Sequence, residues 1–463
     1  MPQRLLLLEL NELTPRLINK FIDQGLLPNF KKLRDQAHVF VTDAQEEHLE
    51  PWIQWVTVHT GLSFDEHQIF HLNDCHKLTK PSLWDLVSSA GSTVWVCGNM
   101  NAKFTAPIRG WVLPDPWTES KPFPAEFGDF ARFVRAQVQE HTNERAPLSK
   151  KDAFDFVRFA VTHGLRLSTM VALAKQVISE RFGDTRWHRA AFLDRVQWDV
   201  FKWYYEKHRP VFSTVFLNST AHYQHVYWRH MEPEHYNIKP KDDSHRDVIL
   251  YGYQNMDRIV GEAMAMAGDD TILVFASALS QKPFLDFEDE GAKTPHRPYD
   301  LQAFPKNLGL PTCRVVPVMA EQFYLYFENQ ADRDAAHKTI VATTCNGEPM
   351  FYSRCEHEKD IFVSSSVYQE QPADAKMVLP NGQKHRFYDL FYVMRDNMKA
   401  ATHHPDGLFW VRMPDAKHSI HPNKIPLTAA APTILNLMGI PAPGYMKPPV
   451  QVVNHANAIP TPV

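Results

Sequence analysis

No stretch of this chain approaches the ~20 consecutive apolar residues of a membrane helix, so the sequence offers no span. Cysteine is scarce. The five present (Cys75, Cys97, Cys313, Cys345 and Cys355) form no CxxC pair and leave one over, which argues against a disulfide framework and for a reducing cytoplasm. An excess of charge is also missing. A net charge of −4 and a pI near 6.7 advertise neither nucleic acid nor an anionic membrane as a partner. Internal repeats and low-complexity segments are absent as well. Arg4 precedes the run Leu5–Leu8, but Glu9 and Glu12 follow at once. That run is too short for a signal-peptide core and reads as a strand.

What is present is ordinary in bulk: 44% hydrophobic and 22% charged residues over 463 positions, enough for a large core. The 24 histidines raise a metal hypothesis against the plainer reading of scattered core and surface rings. The five leucines of Arg4–Leu10, broken only by Glu9, predict a strand buried on both faces of a parallel sheet. Thr14-Pro15 then opens a helix, with Thr14 as N-cap and Leu17, Ile18, Phe21 and Ile22 as its apolar face. Glu9, Asn11 and Glu12 therefore fall at a strand end, where open α/β sheets bind ligands.

Further along, Trp52–Thr60 and Ser82–Ala90 read as helices, and Val94–Cys97, Val211–Leu217, Thr271–Ala276 and Leu408–Met413 as buried strands. A long helix is predicted from about Ser244 to Ala267, and polar loops over 277–283 and 403–407. The fold class expected is α/β: a doubly wound, mostly parallel sheet with helices on both faces. Residues 1–120, 211–283 and 400–463 make its core, with a helical insertion or cap over 121–210 and a mixed α+β insertion over 284–399.

These pieces, in order, resemble the alkaline phosphatase superfamily, and within it the type I phosphodiesterase/nucleotide pyrophosphatase branch. The likeness rests on the opening strand and helix with Pro28-Asn29, on Thr60-Gly61 with Glu66-His67, and on Tyr253, Asp257-Arg258 and Gly268-Asp269-Asp270-Thr271. It ends with His404-Pro405-Asp406-Gly407 and Ala431-Pro432-Thr433-Ile434-Leu435 running to Gly439. The resemblance implies two metal ions, usually zinc, flanking a transferred phosphoryl group, with one activating a Thr or Ser nucleophile. The chain departs from that pattern. The carboxylate at the first strand end falls on Asn11, the nucleophile on Pro51, the next metal Asp on Ala221, and an Asp-His-Gly on Ala278-Leu279-Ser280. His225 and His404 survive, giving one metal site at most, with His222, His403 or Glu12 as candidate third ligands. The cofactor expected is one zinc or other divalent ion, or none.

The candidate site residues follow. Glu50, Glu12, His222 and His225 are candidates for acid–base or nucleophilic work. Asn11, Trp52, Gln54, Ser280, Gln281 and Lys282 are candidates for holding substrate, with Lys282 as a fixed charge for an anion. Each has a plainer alternative. Glu9 reads as a structural ion pair, Glu12 as a helix-end acid, Glu50 as a loop acid, Trp52 and Trp55 as core, and Lys282 as surface. His418 and His421 read as structural. The functional readings are a divergent hydrolase or transferase acting on a phosphorylated or glycosylated small molecule without the two-metal site, a pseudoenzyme on the same fold, and a metal-dependent phosphodiesterase. The partner expected is a small molecule.

Overall fold

The computed structural model describes residues 2–452, apart from 73, 106, 119, 140–148, 291–292, 319–320 and 394–398. Its strands around the site are β1 (Arg4–Leu10), β2 (His38–Asp43), β3 (Val94–Cys97), β4 (Gly110–Leu113), β5 (Phe212–Leu217), β6 (Thr271–Ser277), β7 (Ser280–Pro283), β8 (Ala401–His404) and β9 (Asp406–Arg412). A nine-stranded sheet runs β2-β9-β6-β1-β5-β3-β4, with Ser419–Ile420 and Ile425–Pro426 adding short strands along β2. Its pairings are parallel except those of β9, which runs antiparallel to both β6 and β2. β1 lies at the centre, between β5 and β6.

Side chains of a strand alternate between faces, and β1 divides its leucines accordingly. Leu6, Leu8 and Leu10 pack with Phe21, Trp198 and Tyr253 on one face, while Leu5 and Leu7 pack with Trp55, Trp84 and Ile434 on the other. The helices of the fold include α1 (Pro15–Asp23), α2 (Pro51–Thr60), α3 (Gly128–Gln139), α4 (Lys150–Thr162), α5 (Leu167–Ser179), α6 (Arg189–His208), α7 (Ser219–Met231), α8 (Val248–Ala267) and α9 (Ala430–Leu437), and Trp84 lies on a further one, Leu83–Ser89. Each fully buried leucine contributes roughly 1.5–3 kcal/mol relative to exposure, which fixes β1 in register as well as in place. Residues 301–391 hold an apolar cluster of their own, built on two four-stranded antiparallel sheets. Among the described residues no helix is long and apolar enough to cross a membrane.

Three local expectations are corrected. The predicted loop 277–283 ends in β7, which pairs antiparallel with β8, so His403 and His404 are strand residues and not part of a loop. The pairing is driven by backbone groups that no side-chain pattern announces. The long helix α8 starts at Val248, four residues later than its apolar pattern suggests. Thr14 does stand at the N-cap of α1, but its hydroxyl makes no capping bond and donates to Gln224 Oε1 at 3.1 Å.

Candidate functional site

After Leu10 the backbone turns sharply, and Glu12 adopts a left-handed conformation with φ of 60°. For a residue with a Cβ this conformation costs of order 1 kcal/mol or more and needs support from its surroundings. A clamp supplies the support. Gln224 Nε2 donates to the Glu12 carbonyl at 2.7 Å, and Tyr253 donates to Gln224 Oε1 at 2.8 Å while accepting the Thr14 N–H at 2.8 Å. The result aims the Glu12 carboxylate, almost wholly buried, across the carboxyl end of the sheet.

Two imidazoles meet it there. His225, from α7, places Nε2 at 3.1 Å from Glu12 Oε2. His403, from β8, places Nε2 at 3.6 Å from the same oxygen. Asn11 donates to Glu12 Oε1 at 2.9 Å, and Gln281 donates to Oε2. Gln281 is the register partner of His403 across the β7–β8 pair, so one pairing delivers both side chains to Glu12. The other ring nitrogens are also engaged: His225 Nδ1 lies 3.3 Å from the Ala401 carbonyl, and His403 Nδ1 lies 3.6 Å from Glu50 Oε2.

The charges follow from this crowding. Burial works to raise the Glu12 pKa, but the positive charges of His403 and His225, with bonds from His225 and Gln281, outweigh it and hold the group at about 2. Burial lowers His403 to about 4, helped by repulsion from His225 and Lys399 and opposed by Glu12. Glu50 is pushed up to about 7, first by the surrounding protein and then by Glu12, against the pull of Lys399 and His225. Its side chain still keeps 44% of its surface open, so the carboxyl is crowded on one side and wet on the other. Near pH 7 the site thus holds an ionised Glu12, a neutral His403 and a Glu50 poised between its two forms.

This donor set fits a divalent metal. Among the described residues, Glu12, His225 and His403 form a group whose ligand atoms all lie within 4.8 Å of one another. Tetrahedral zinc with bonds of ~2.0–2.1 Å needs ligand atoms roughly 3.3 Å apart, and the two separations from Glu12 Oε2 straddle that value. The bond to Ala401 requires a proton on His225 Nδ1, because a carbonyl only accepts. Nε2 is then the nitrogen turned to the ionised Glu12 carboxylate, where either a proton or a cation can stand between the two. The outer contacts, a backbone carbonyl on one imidazole and a carboxylate on the other, are those that orient metal-bound histidines.

The remaining candidates separate cleanly. Asn11 has its amide fully engaged: besides Glu12, Nδ2 donates to Asn218 at 2.8 Å, and Oδ1 accepts from Trp55 Nε1 at 2.8 Å. Trp52 donates to the Phe70 carbonyl at 3.0 Å, and Gln54 to the His48 carbonyl at 2.5 Å, which ties both to loop packing. Ser280 is buried with its hydroxyl unpartnered, whereas Lys282, one residue past Gln281, projects into solvent. His222 lies on α7 three residues before His225 and is not in the three-residue group. His404 faces away from Glu12, accepting the Asp406 N–H at 3.2 Å on Nδ1. Strand alternation decides between the two adjacent histidines, and it turns His403 inward.

Glu9 is held elsewhere. Both its oxygens lie 3.1 Å from His59 Nε2, and Thr214 donates to it at 2.8 Å, all in the buried layer beneath α2. Lys399 and His59 are the residues that sequence reasoning missed. The placement of His59 on the inner face of α2, one turn beyond Trp55, was the available signal. A cavity of about 570 Å³ lies away from these groups, lined by Cys75, Lys103, Phe104 and Phe123 among others.

No protein-family model matches the chain, and no curated protein is similar to it in sequence. Among solved structures it matches members of the alkaline phosphatase superfamily over nearly its full length. Phosphonoacetate hydrolase from Sinorhizobium meliloti 1021 matches at 13% identity over 95% of this chain and 96% of that one, with a TM-score of 0.42. Murine ectonucleotide pyrophosphatase/phosphodiesterase 5 matches at 9% identity, with the same coverages and a TM-score of 0.46. Alkaline phosphatase PafA matches at 11% identity over 97% of this chain and 99% of that one, with a TM-score of 0.48. The likeness is one of backbone path.

Proposed function

We propose that this chain is a phosphoester hydrolase that works with one divalent metal ion, held by Glu12, His225 and His403. The observation that carries the reading is the convergence of those three donors on one point, with Glu50 beside them and half open to water. Support for a single ion comes from the positions where the resemblance leads one to look for a second. The Asn11 amide is fully hydrogen-bonded within the protein, and Ala278 and Leu279 are fully buried in the apolar layer.

When bound, the metal supplies Lewis-acid polarisation of a phosphoryl oxygen. The chain's own residues supply the rest. Glu50, with its carboxyl near 7, takes a proton from an attacking water or returns one to a leaving oxygen. Lys399, whose charge acts on Glu50 and whose ammonium lies 4.6 Å from the centre of the Phe284 ring, is the cation assigned to drawing in an anionic substrate. Asn11 and Gln281 hold the Glu12 carboxylate in one orientation.

A second reading is favoured by Pro51, which stands where the resemblance places the nucleophile: a ligand-binding protein without turnover. One experiment separates the two. Zinc-loaded protein is assayed on phosphomonoesters and phosphodiesters, with His403→Ala and Glu50→Gln as controls and thermal shift run in parallel. Turnover lost in both variants supports the hydrolase. Stabilisation by the same compounds without turnover supports the binding protein. Turnover that survives chelation and His403→Ala sinks the metal-dependent reading.

A further inference from the structure

Helix α5 is built inside out. The side chains it buries include the polar Thr169 and Gln176, and Thr169 Oγ1 has no hydrogen-bond partner. Its outward face carries Leu167 (74% exposed), Met170, Val171, Val177 and Ile178, and Phe182 (85% exposed) follows just past its end. The spacing is helical, so these residues form a stripe. The preceding helix α4 shows the same habit, with Phe154 67% exposed. Of the fifteen large apolar side chains exposed among the described residues, nine fall between Phe154 and Phe182. Scattered exposed apolar residues need no explanation, but a concentration of this kind marks a surface that meets something apolar.

The charge around the stripe identifies the occupant. Residues 149–189 carry eight Lys and Arg against four Asp and Glu in a chain whose net charge is −4, although Arg158 and Arg166 are paired with Asp129, Asp199 and Glu262 outside the segment. Lys150, Lys175, Arg181 and Arg186 are all exposed. An apolar helical face rimmed by cations is the pattern of a helix that lies in a membrane interface, with its stripe among the acyl chains and its basic residues at anionic headgroups. Self-pairing of the same face would bring two basic rims together, which disfavours a second copy of the chain.

We propose that helix α5 and the turn after it dock the protein peripherally on an anionic lipid surface, through Leu167, Val171, Ile178 and Phe182 with Lys175 and Arg181. The whole-chain charge, which advertises no such partner, conceals it because the rest of the molecule is acidic. The inference is independent of the metal site.

The test uses the full chain with vesicles of pure phosphatidylcholine and of an equimolar mixture of phosphatidylcholine and phosphatidylglycerol. The expected result is co-sedimentation with the mixed vesicles only, weakened by salt. Partitioning should fall roughly tenfold or more in Leu167→Ser/Ile178→Ser/Phe182→Ser and again in Lys175→Glu/Arg181→Glu, with melting temperatures unchanged. No association of the wild type with anionic vesicles overturns the proposal, as does equal association of wild type and both variants. Light scattering on the same samples covers the remaining occupant: self-association of the wild type that the serine variant abolishes, without vesicle binding, assigns the face to a second copy and overturns the lipid assignment.

Discussion

His403 stands between two carboxylates: its Nε2 lies 3.6 Å from Glu12 Oε2 and its Nδ1 lies 3.6 Å from Glu50 Oε2. The ring thus links a buried acid, ionised at neutral pH, to one that is half open to the crevice. Removing it should disconnect the two and vacate one of three ligand positions.

The first prediction concerns metal content. Wild-type protein should bind one zinc ion per chain, measured by plasma mass spectrometry after dialysis. His403→Ala, His225→Ala and Glu12→Gln should each lower affinity by at least about tenfold to a hundredfold, given what loss of even an outer contact does. His404→Ala should leave the stoichiometry unchanged, and a large loss there would assign the site differently.

Asn11→Asp tests whether a second ion can be restored. The new carboxylate replaces the N–H donor to Glu12 and Asn218 with like charge, so stability should fall by about 1–3 kcal/mol. No second zinc should appear, because Ala278 and Leu279 bring only hydrocarbon to that side. Two zinc ions per chain in this variant would refute the single-ion reading.

The pH dependence of the metal-free protein has a definite sign at each group of the site. Between about 6.5 and 4 the unfolded chain takes up a proton at His403 that the native ring refuses, and between about 4.5 and 2 the same holds for Glu12. At these two groups the native state binds fewer protons, so their contribution to stability falls as pH drops across both windows. Glu50, raised to about 7, takes up its proton first in the native state and works in the opposite sense between about 7 and 4.5. In chelator, the denaturant midpoint of His403→Gln should therefore rise relative to wild type as pH drops from about 6.5 to 4, and that of Glu50→Gln should fall relative to wild type between about 7 and 4.5.

Beneath the site, His59→Ala should destabilise the fold by about 3–5 kcal/mol, since it strands the Glu9 carboxylate in a fully buried layer. Zinc stoichiometry should stay at one. A coupled loss of metal would mean that Glu9 belongs to the site and not to the core.

Gly407→Ala should be poorly tolerated. A Cβ there would meet the Ser277 carbonyl oxygen at 2.2 Å and Thr42 Oγ1 at 2.4 Å, where β9 threads between β6 and β2. Overpacking against backbone costs about 1–3 kcal/mol or more, so a measurable drop in melting temperature is expected.

The scaffold was legible because hydrophobic runs and helix stops are local features. The leucines of β1, the buried Val94–Cys97 and the apolar face of α1 all announced themselves within a few residues. The site was legible only in part. Glu12, Asn11 and His225, which the structure brings together, could be singled out because strand ends and helix starts can be placed from sequence. His403 was named but ranked behind His404, since choosing between neighbours requires knowing that both lie on a strand and which face is inward. That depends on the β7–β8 pairing, which joins segments 120 residues apart and involves mostly polar side chains. Glu9 was correctly given a structural alternative, but its partner His59 lies 50 residues away on another element.

The three donors also set an order of events. Glu12 emerges early in synthesis, His225 near the midpoint and His403 only with β8, close to the C-terminus. A nascent chain therefore holds no complete ligand set until the C-terminal segment has left the ribosome and paired. On the one-metal reading, loading would be a late step, a check on finished topology and not a nucleus for folding, and truncation before β8 should give a chain that binds no ion.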